Sequence, residues 1–88
     1  MSDNKYKGFR VTYRFKTRRE QVFVLYRGTI YHQMYIGKDD SILYGTWFDT
    51  VHRAEPCIRP YVKTFKTHEE AERYLHKLQR GSIIRKGG

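Results

Sequence analysis

The stretch that most constrains the fold is residues 60–78, which reads as a short strand, a tight corner and an amphipathic helix. Thr67 is placed as the helix N-cap, and Glu70 follows three residues later, as in a capping box. The apolar residues that follow recur at the spacing of a single helical stripe: Ala71, Tyr74, Leu75 and Leu78. Gly81 then predicts the end of the helix. A helix with one apolar stripe needs a sheet to cover.

The upstream sequence predicts that sheet. Residues 9–16 alternate between apolar and polar side chains, the pattern of a strand with one buried face. The residues expected on that buried face, under the helix, are Phe9, Val11, Tyr13 and Phe15. Residues 21–27 are apolar on both faces, which predicts a central strand. Three further strands are predicted: residues 30–36, 42–48 and 58–65. Gly45 is a candidate bulge in the strand 42–48. Because Pro60 lacks an amide donor, the strand 58–65 should start near Pro60 or lie at an edge of the sheet.

Together these elements predict an α+β fold, an antiparallel meander of four to five strands with one C-terminal helix packed on one face. We expect a single domain over residues 1–88, with residues 1–7 and 83–88 flexible. Residues 49–57 have no readable pattern. The single Cys57, the lack of a long apolar run and the lack of an apolar leader favour a cytoplasmic, reducing setting without a membrane span. Both a monomer and a homodimer remain open.

Charge is the strongest pointer to function. The chain has 18 Lys and Arg against 9 Asp and Glu, a formal net charge of +9. Such a charge attracts polyanions, nucleic acid first. Residues 5–19 contain basic residues and no acid: Lys5, Lys7, Arg10, Arg14, Lys16, Arg18 and Arg19. The simplest alternative is a solvated face, but a solubilising surface normally mixes both signs, so we expect this segment to contact nucleic acid.

Aromatic residues lie near this basic segment. Tyr31 and Tyr35 share one face of a predicted strand, and Trp47 lies on the next strand. Beside a cationic strand, these rings would suit stacking against bases. In a chain this small, aromatic rings supply much of the buried area, so the sequence favours a core role for them over stacking.

The corner Y-V-K-T-F-K-T-H-E-E-A-E-R-Y-L, residues 61–75, resembles that of two nucleic-acid-binding families. One is the three-stranded sheet-plus-helix DNA-binding domain of plant ethylene-response factors and of phage-type integrase arm-site domains, which typically reads LGTFDTxEEAAxAY. Lys63 and Lys66 depart from that pattern. The other is the N-terminal hybrid-binding domain of eukaryotic-type ribonucleases H, which shares KxFxTxEEAxxYL. That family also has a Trp about eighteen residues before the Phe of the strand, as Trp47 stands before Phe65.

The two resemblances imply different contacts. The first implies that the sheet face opposite the helix enters the DNA major groove, with Arg10, Arg14 and Lys16 as contacts. The second implies that Trp47, Lys63 and nearby tyrosines contact the backbone of an RNA-containing duplex. The candidate nucleic-acid-binding residues are therefore Arg10, Arg14, Lys16, Arg18, Arg19, Tyr31, Tyr35, Trp47 and Lys63. The choice of DNA or RNA, the number of strands and any base preference stay open.

Two other functions fit the same composition. A protein-interaction or inhibitor module would dock on an acidic protein surface through the same Arg and Tyr residues. A small ribonuclease toxin would use His32 or His52 beside a cation. No nucleophile motif, phosphate-binding glycine loop or paired-carboxylate spacing is present, so we expect no enzyme activity and no cofactor. We also expect no metal site, because zinc-ligand spacing is missing from His52, Cys57, His68 and His76.

Overall fold

The protein folds into a four-stranded sheet with one long helix. The computed structural model describes residues 5–28, 33–48 and 56–87, and for residues 81–87 it describes the backbone only. The strands, in the sheet order β1-β2-β3-β4, are β1 Arg10–Phe15, β2 Gln21–Gly28, β3 Gln33–Ile36 and β4 Ile42–Tyr44. A 3-10 helix, Arg59–Tyr61, precedes the helix α1, His68–Gly87. All strand pairs are antiparallel, and α1 packs on β1 and β2. The predicted α+β meander with one C-terminal helix is confirmed.

The hairpin of β1 and β2 extends over the whole of β1, with Tyr13 opposite Phe23. Its loop is closed by Thr17, whose Oγ1 accepts hydrogen bonds from the amides of Arg19, at 3.2 Å, and Glu20, at 2.9 Å. The other edge of β2 pairs with β3. Within the described sheet β1 is therefore an outer strand, and its hairpin loop has a defined conformation.

The helix α1 begins where the sequence predicts and ends later. The Glu70 amide donates to Thr67 Oγ1 at 3.1 Å, so Thr67 is the N-cap. The predicted apolar stripe packs on the sheet, buried or half-buried at every position: Ala71, Tyr74, Leu75 and Leu78. The predicted end at Gly81 is wrong, because α1 continues to Gly87. A glycine in a helix costs about 1 kcal/mol relative to alanine, which weakens a helix without ending it.

The sheet is buried on both faces. The core under α1, the helix-side core, contains Tyr6, Phe9, Leu25, Ile36, Ala71 and Leu75. The core on the other face, the opposite core, contains Val22, Val24, Tyr35, Trp47, Ile58 and Val62. Neighbouring residues of β2 alternate between the two cores: Val24 lies in the opposite core and Leu25 in the helix-side core. Both side chains are fully buried. The prediction of a central strand at residues 21–27 is confirmed.

The segment 58–65 does not form the predicted fifth strand. It starts with a 3-10 turn, because Pro60 has the fixed φ and the missing amide that suit the first turn of a helix. It then contacts the sheet through isolated bridges. In the bridge nearest to α1, Phe65 and Phe23 exchange two backbone hydrogen bonds of 2.9 and 2.8 Å. This bridge places the start of α1 beside β2.

The prediction that Tyr13 and Phe15 are buried is wrong, since they are 53 % and 44 % exposed. The helix α1 begins at His68, whose ring packs edge to face against Phe23 with 5.7 Å between ring centroids. From there the helix runs toward the start of β1 and covers Phe9. The far end of β1 lies beyond the first turn of α1, so the helix does not cover the two rings.

The strand β4 is shorter than predicted and ends before Gly45, where the chain approaches residues 56–58 closely. A Cβ at Gly45 would lie 2.5 Å from the carbonyl oxygen of Pro56 and 2.6 Å from Cγ2 of Ile58. Such distances exclude a side chain, so the glycine permits the close approach of two segments. The chain then brings Trp47 into the opposite core.

The remaining predictions for this part of the chain fall partly outside the described residues. Of the predicted strand 30–36, the structure describes Gln33–Ile36 as β3, and residues 29–32 lie outside. Residues 49–55, which had no readable pattern, also lie outside. Among the described residues, no helix has the length and apolar character needed to cross a membrane.

We predict that Gly45→Ala lowers the free energy of unfolding by about 1–3 kcal/mol, because the new methyl group must displace the backbone at Pro56. Chemical denaturation measures the loss. Gly37→Ala is the graded control, since its Cβ would mainly meet the flexible end of Leu43, at 3.0 Å. The control should lose less stability. Equal losses in the two variants would contradict this account of Gly45.

Candidate nucleic-acid interface

The basic residues of β1 and its hairpin form what we call the basic strand surface: Arg10, Arg14, Lys16, Arg18 and Arg19. All except Arg14 are exposed. Strand alternation places Arg10 and Arg14 on the face opposite α1. Within the described residues, none of the five forms an ion pair with an acid; the ion pair found there joins Lys63 to Asp40. The charge of this surface is therefore not neutralised by the described part of the chain.

Arg14 is held in a defined orientation. Its Nε donates to the Tyr35 hydroxyl at 3.2 Å, and its Nη1 donates to the Tyr13 carbonyl at 2.8 Å. The guanidinium carbon lies 5.0 Å from the ring centroid of Tyr26 and 5.8 Å from that of Tyr35, within cation–π range. Burial raises the pKa of Tyr35 and outweighs the opposing effect of Arg14, so the hydroxyl stays neutral at pH 7. An oriented guanidinium loses less side-chain entropy on binding an anion.

A cleft of about 540 Å³ opens at the start of β1. Arg10 and Arg27 both line it, next to Gly8 and Tyr26. Arg27 donates from Nη1 to the Lys7 carbonyl at 3.2 Å, which holds its side chain across the backbone of Gly8. Gly8 has a φ of 89°, which favours glycine, and a Cβ there would lie 3.1 Å from Arg27 Nε. Two arginines on adjacent strands therefore line one opening, and guanidinium groups are suited to binding phosphate.

Sequence reasoning missed Arg27 and Gly8. Arg27 lies at the end of an apolar strand, and no local signal connects it to Arg10. The register of the hairpin brings the two together, because Arg10 pairs with Tyr26, the residue before Arg27.

Two of the three rings predicted as stacking candidates lie in the opposite core. Tyr35 and Trp47 are 0 % and 3 % exposed, with 6.0 Å between their ring centroids. Trp47 also donates from Nε1 to the carbonyl of Phe15 at 2.8 Å, which secures the end of β1. Both rings pack in the core and do not face solvent, and Tyr35 also supports Arg14. Tyr31 lies outside the described residues, as do His32 and His52 of the ribonuclease hypothesis.

Lys63 lies on the helix side of the sheet, apart from Arg10 and Arg14. Its Nζ is 3.2 Å from Asp40 Oδ1 and donates to the Tyr74 hydroxyl at 3.1 Å. The Tyr74 hydroxyl in turn donates to Asp40 Oδ1 at 2.6 Å. This Lys63–Asp40–Tyr74 network joins the turn between β3 and β4 to α1, and Lys63 is engaged in that contact.

The structure leaves other aromatic residues exposed: Tyr13, Phe15, Tyr44, Phe48 and Tyr61. The rings of Tyr13 and Phe15 pack edge to face, with 6.0 Å between their centroids, directly before Lys16 in the chain. Sequence alternation assigned this pair to the buried face, so it was missed as a binding surface. The alternation identifies residues that share a face, and the position of α1 decides whether they are covered.

Comparisons of the chain with known proteins identify no similar protein. A scan against protein-family models, a search of the curated proteins and a search of the solved structures each find no match to the chain. The resemblance to two nucleic-acid-binding families stays a hypothesis that depends on residues 61–75 and, for the ribonuclease H domain, on Trp47.

We predict that the Lys63–Asp40–Tyr74 network makes the protein lose stability as the pH rises above about 10. The pKa of Lys63 is raised above its usual 10.5, because burial, which lowers it, is outweighed by the bonds to Tyr74 and Asp40. Burial and the bond to Asp40 raise the pKa of Tyr74 above its usual 10.0. Both groups therefore stabilise the fold below their unfolded pKa values, and this stabilisation is lost as the pH rises through the folded values.

Denaturant unfolding from about pH 8 to about pH 11 measures this loss. Tyr74→Phe should make the decline shallower, because the variant has no phenol at the centre of the network. Part of the decline should remain, since burial also raises the pKa of Tyr35. Tyr44→Phe, at a residue that is 64 % exposed, is the matched control and should keep the wild-type slope. A Tyr74→Phe curve parallel to that of the wild type would count against the network.

Proposed function

We propose that this protein is a nucleic-acid-binding module rather than an enzyme, and that it contacts phosphates through the basic strand surface. One observation carries the proposal: exposed cations follow one another along an outer strand and its hairpin, and no described acid pairs with them. Unpaired surface cations release counterions from a polyanion on binding, which is the main source of sequence-independent affinity.

The arginines of β1 and of the cleft suggest where individual phosphates bind. Arg14 is fixed by Tyr35, and Arg10 and Arg27 both line the cleft. A guanidinium group can bind a phosphate through two parallel hydrogen bonds, which a lysine cannot do. We therefore place one phosphate at the mouth of the cleft, with Arg18 and Arg19 of the hairpin contacting phosphates further along the polymer.

This mode of binding differs from the one that the resemblance to ethylene-response factors implies. That resemblance requires an open sheet face opposite the helix, to lie in a major groove. Here Trp47, Ile58 and Val62 cover the middle of that face and leave its β1 margin exposed. Contact along β1 and its hairpin fits this surface better, without Lys63.

A second candidate function is docking on an acidic protein surface. The exposed rings of Tyr13 and Phe15 beside the same cations favour it, because Tyr and Arg are enriched at interface hot spots. A pull-down from lysate with and without nuclease separates the two functions. Nuclease should remove the partner if it is nucleic acid, whereas a single polypeptide that stays bound after nuclease treatment would support the second candidate.

We predict that changing Arg10, Lys16, Arg18 and Arg19 together to Gln weakens binding to a labelled oligonucleotide at least about tenfold. The slope of log Kd against log salt should also fall, by about 0.7–0.9 for each phosphate that the variant no longer neutralises. Fluorescence anisotropy from about 50 to about 200 mM salt measures both quantities.

The matched control changes four exposed cations near and on α1 to Gln: Lys66, Arg73, Lys77 and Arg80. Because both variants remove four positive charges, only the position of the charge differs. The control should lose much less affinity. Equal losses would indicate diffuse attraction without a site, and binding by the wild type that salt does not weaken would refute the phosphate-contact proposal.

A further inference from the structure

The ring pair of Tyr13 and Phe15 lies among the residues of the basic strand surface, and phosphate contacts do not account for it. The rings are 53 % and 44 % exposed and form an edge-to-face pair. Phe23, half-buried, lies opposite Tyr13 on β2. Two adjacent exposed rings bordered by polar residues form the type of apolar patch that commonly marks a binding site.

The described part of the chain does not cover this patch. The bridge between Phe23 and Phe65 fixes the start of α1, and the apolar stripe of α1 is already used in the helix-side core. Cations lie immediately beyond the rings, at Lys16 and at Arg18 and Arg19 of the hairpin loop. Within the described residues, the patch is therefore apolar, solvent-facing and adjacent to cations that form no ion pair.

We propose that Tyr13 and Phe15 stack against unpaired bases, so that the nucleic acid bound here is single-stranded at this surface. This inference rests on the proposed function and specifies the form of the polymer. The bases of a duplex are stacked on one another, whereas those of a single strand are free to stack on aromatic rings. Stacking tolerates any base, so a surface of this kind binds without sequence readout.

The position of β1 lets bases and phosphates be contacted at the same time. Alternation directs Tyr13 and Phe15 to the helix side of the sheet and Arg10 and Arg14 to the other side. Because β1 is an outer strand of the described sheet, both sets border the same outer edge. Alternate side chains repeat about every 7 Å along a strand, and the two ring centroids are 6.0 Å apart. A single strand along this edge can therefore present successive bases to the rings while its phosphates meet the cations.

The test compares three labelled probes of equal length, about 12 nucleotides, within the site sizes of small single-strand-binding domains. They are an oligothymidylate, an abasic oligomer with the same phosphates and no bases, and a duplex. The test variant is Tyr13→Thr with Phe15→Thr, because threonine preserves strand propensity. The control is Tyr44→Thr with Tyr61→Thr, at two residues that are each 64 % exposed and lie elsewhere. Thermal unfolding confirms that each variant is folded.

We expect the wild type to bind the oligothymidylate at least about fivefold more tightly than the abasic oligomer. The Tyr13→Thr, Phe15→Thr variant should bind the two probes equally, with its affinity for the abasic oligomer unchanged. The Tyr44→Thr, Tyr61→Thr control should keep the wild-type preference. A wild type without this preference, or a test variant that retains it, overturns the inference.

Failure of this inference is distinguishable from failure of the proposed function. Salt-sensitive binding to all three probes without a preference for bases would leave phosphate binding intact and overturn stacking alone. Absence of binding to every probe would overturn both.

Discussion

Two backbone hydrogen bonds between Phe23 and Phe65 decide where the helix meets the sheet. The N-cap Thr67 follows two residues later, so α1 has to begin beside β2. From that start, its apolar stripe reaches the buried side chains at the centre of the sheet and at the start of β1. The other end of β1, with Tyr13 and Phe15, lies beyond the first turn of α1 and stays exposed. The contact that assembles the helix-side core therefore also defines the exposed aromatic patch.

Burial of β2 on both faces decides which residues are left for binding. Tyr35 and Trp47 are buried in the opposite core, so these rings do not contact solvent and instead stabilise the fold. Tyr35 has a further effect, because its hydroxyl and its ring both orient Arg14. A residue that the sequence presents as a candidate for stacking thus becomes a support for a candidate phosphate ligand. β1 is one of the two outer strands of the described sheet, and charge and exposed aromatic rings occur together on it.

The cations of this chain fall into two groups with different physical roles. Lys63 is ion-paired with Asp40 and hydrogen-bonded to Tyr74, so its charge stabilises the junction between α1 and the sheet. The basic strand surface has no such partner in the described residues. Acids occur instead at positions such as Glu69 and Glu70, in the first turn of α1, where they interact favourably with the helix dipole. Although Glu20 follows Arg19 in the hairpin, no described acid forms an ion pair with the β1 cations, so their charge is available to a polyanion.

The sequence by itself determined the element types, because periodicity and capping are local properties. The alternating strand of residues 9–16, the strand 21–27 with apolar residues on both faces and the Thr67 cap all appear in the structure. It also determined the concentration of positive charge in the first hairpin. Only the tertiary structure decided that segment 58–65 bridges the sheet without forming a strand, and that Tyr35 is buried while Tyr13 is exposed. The reason is physical: alternation shows which side chains share a face, but long-range pairing decides whether another segment covers that face.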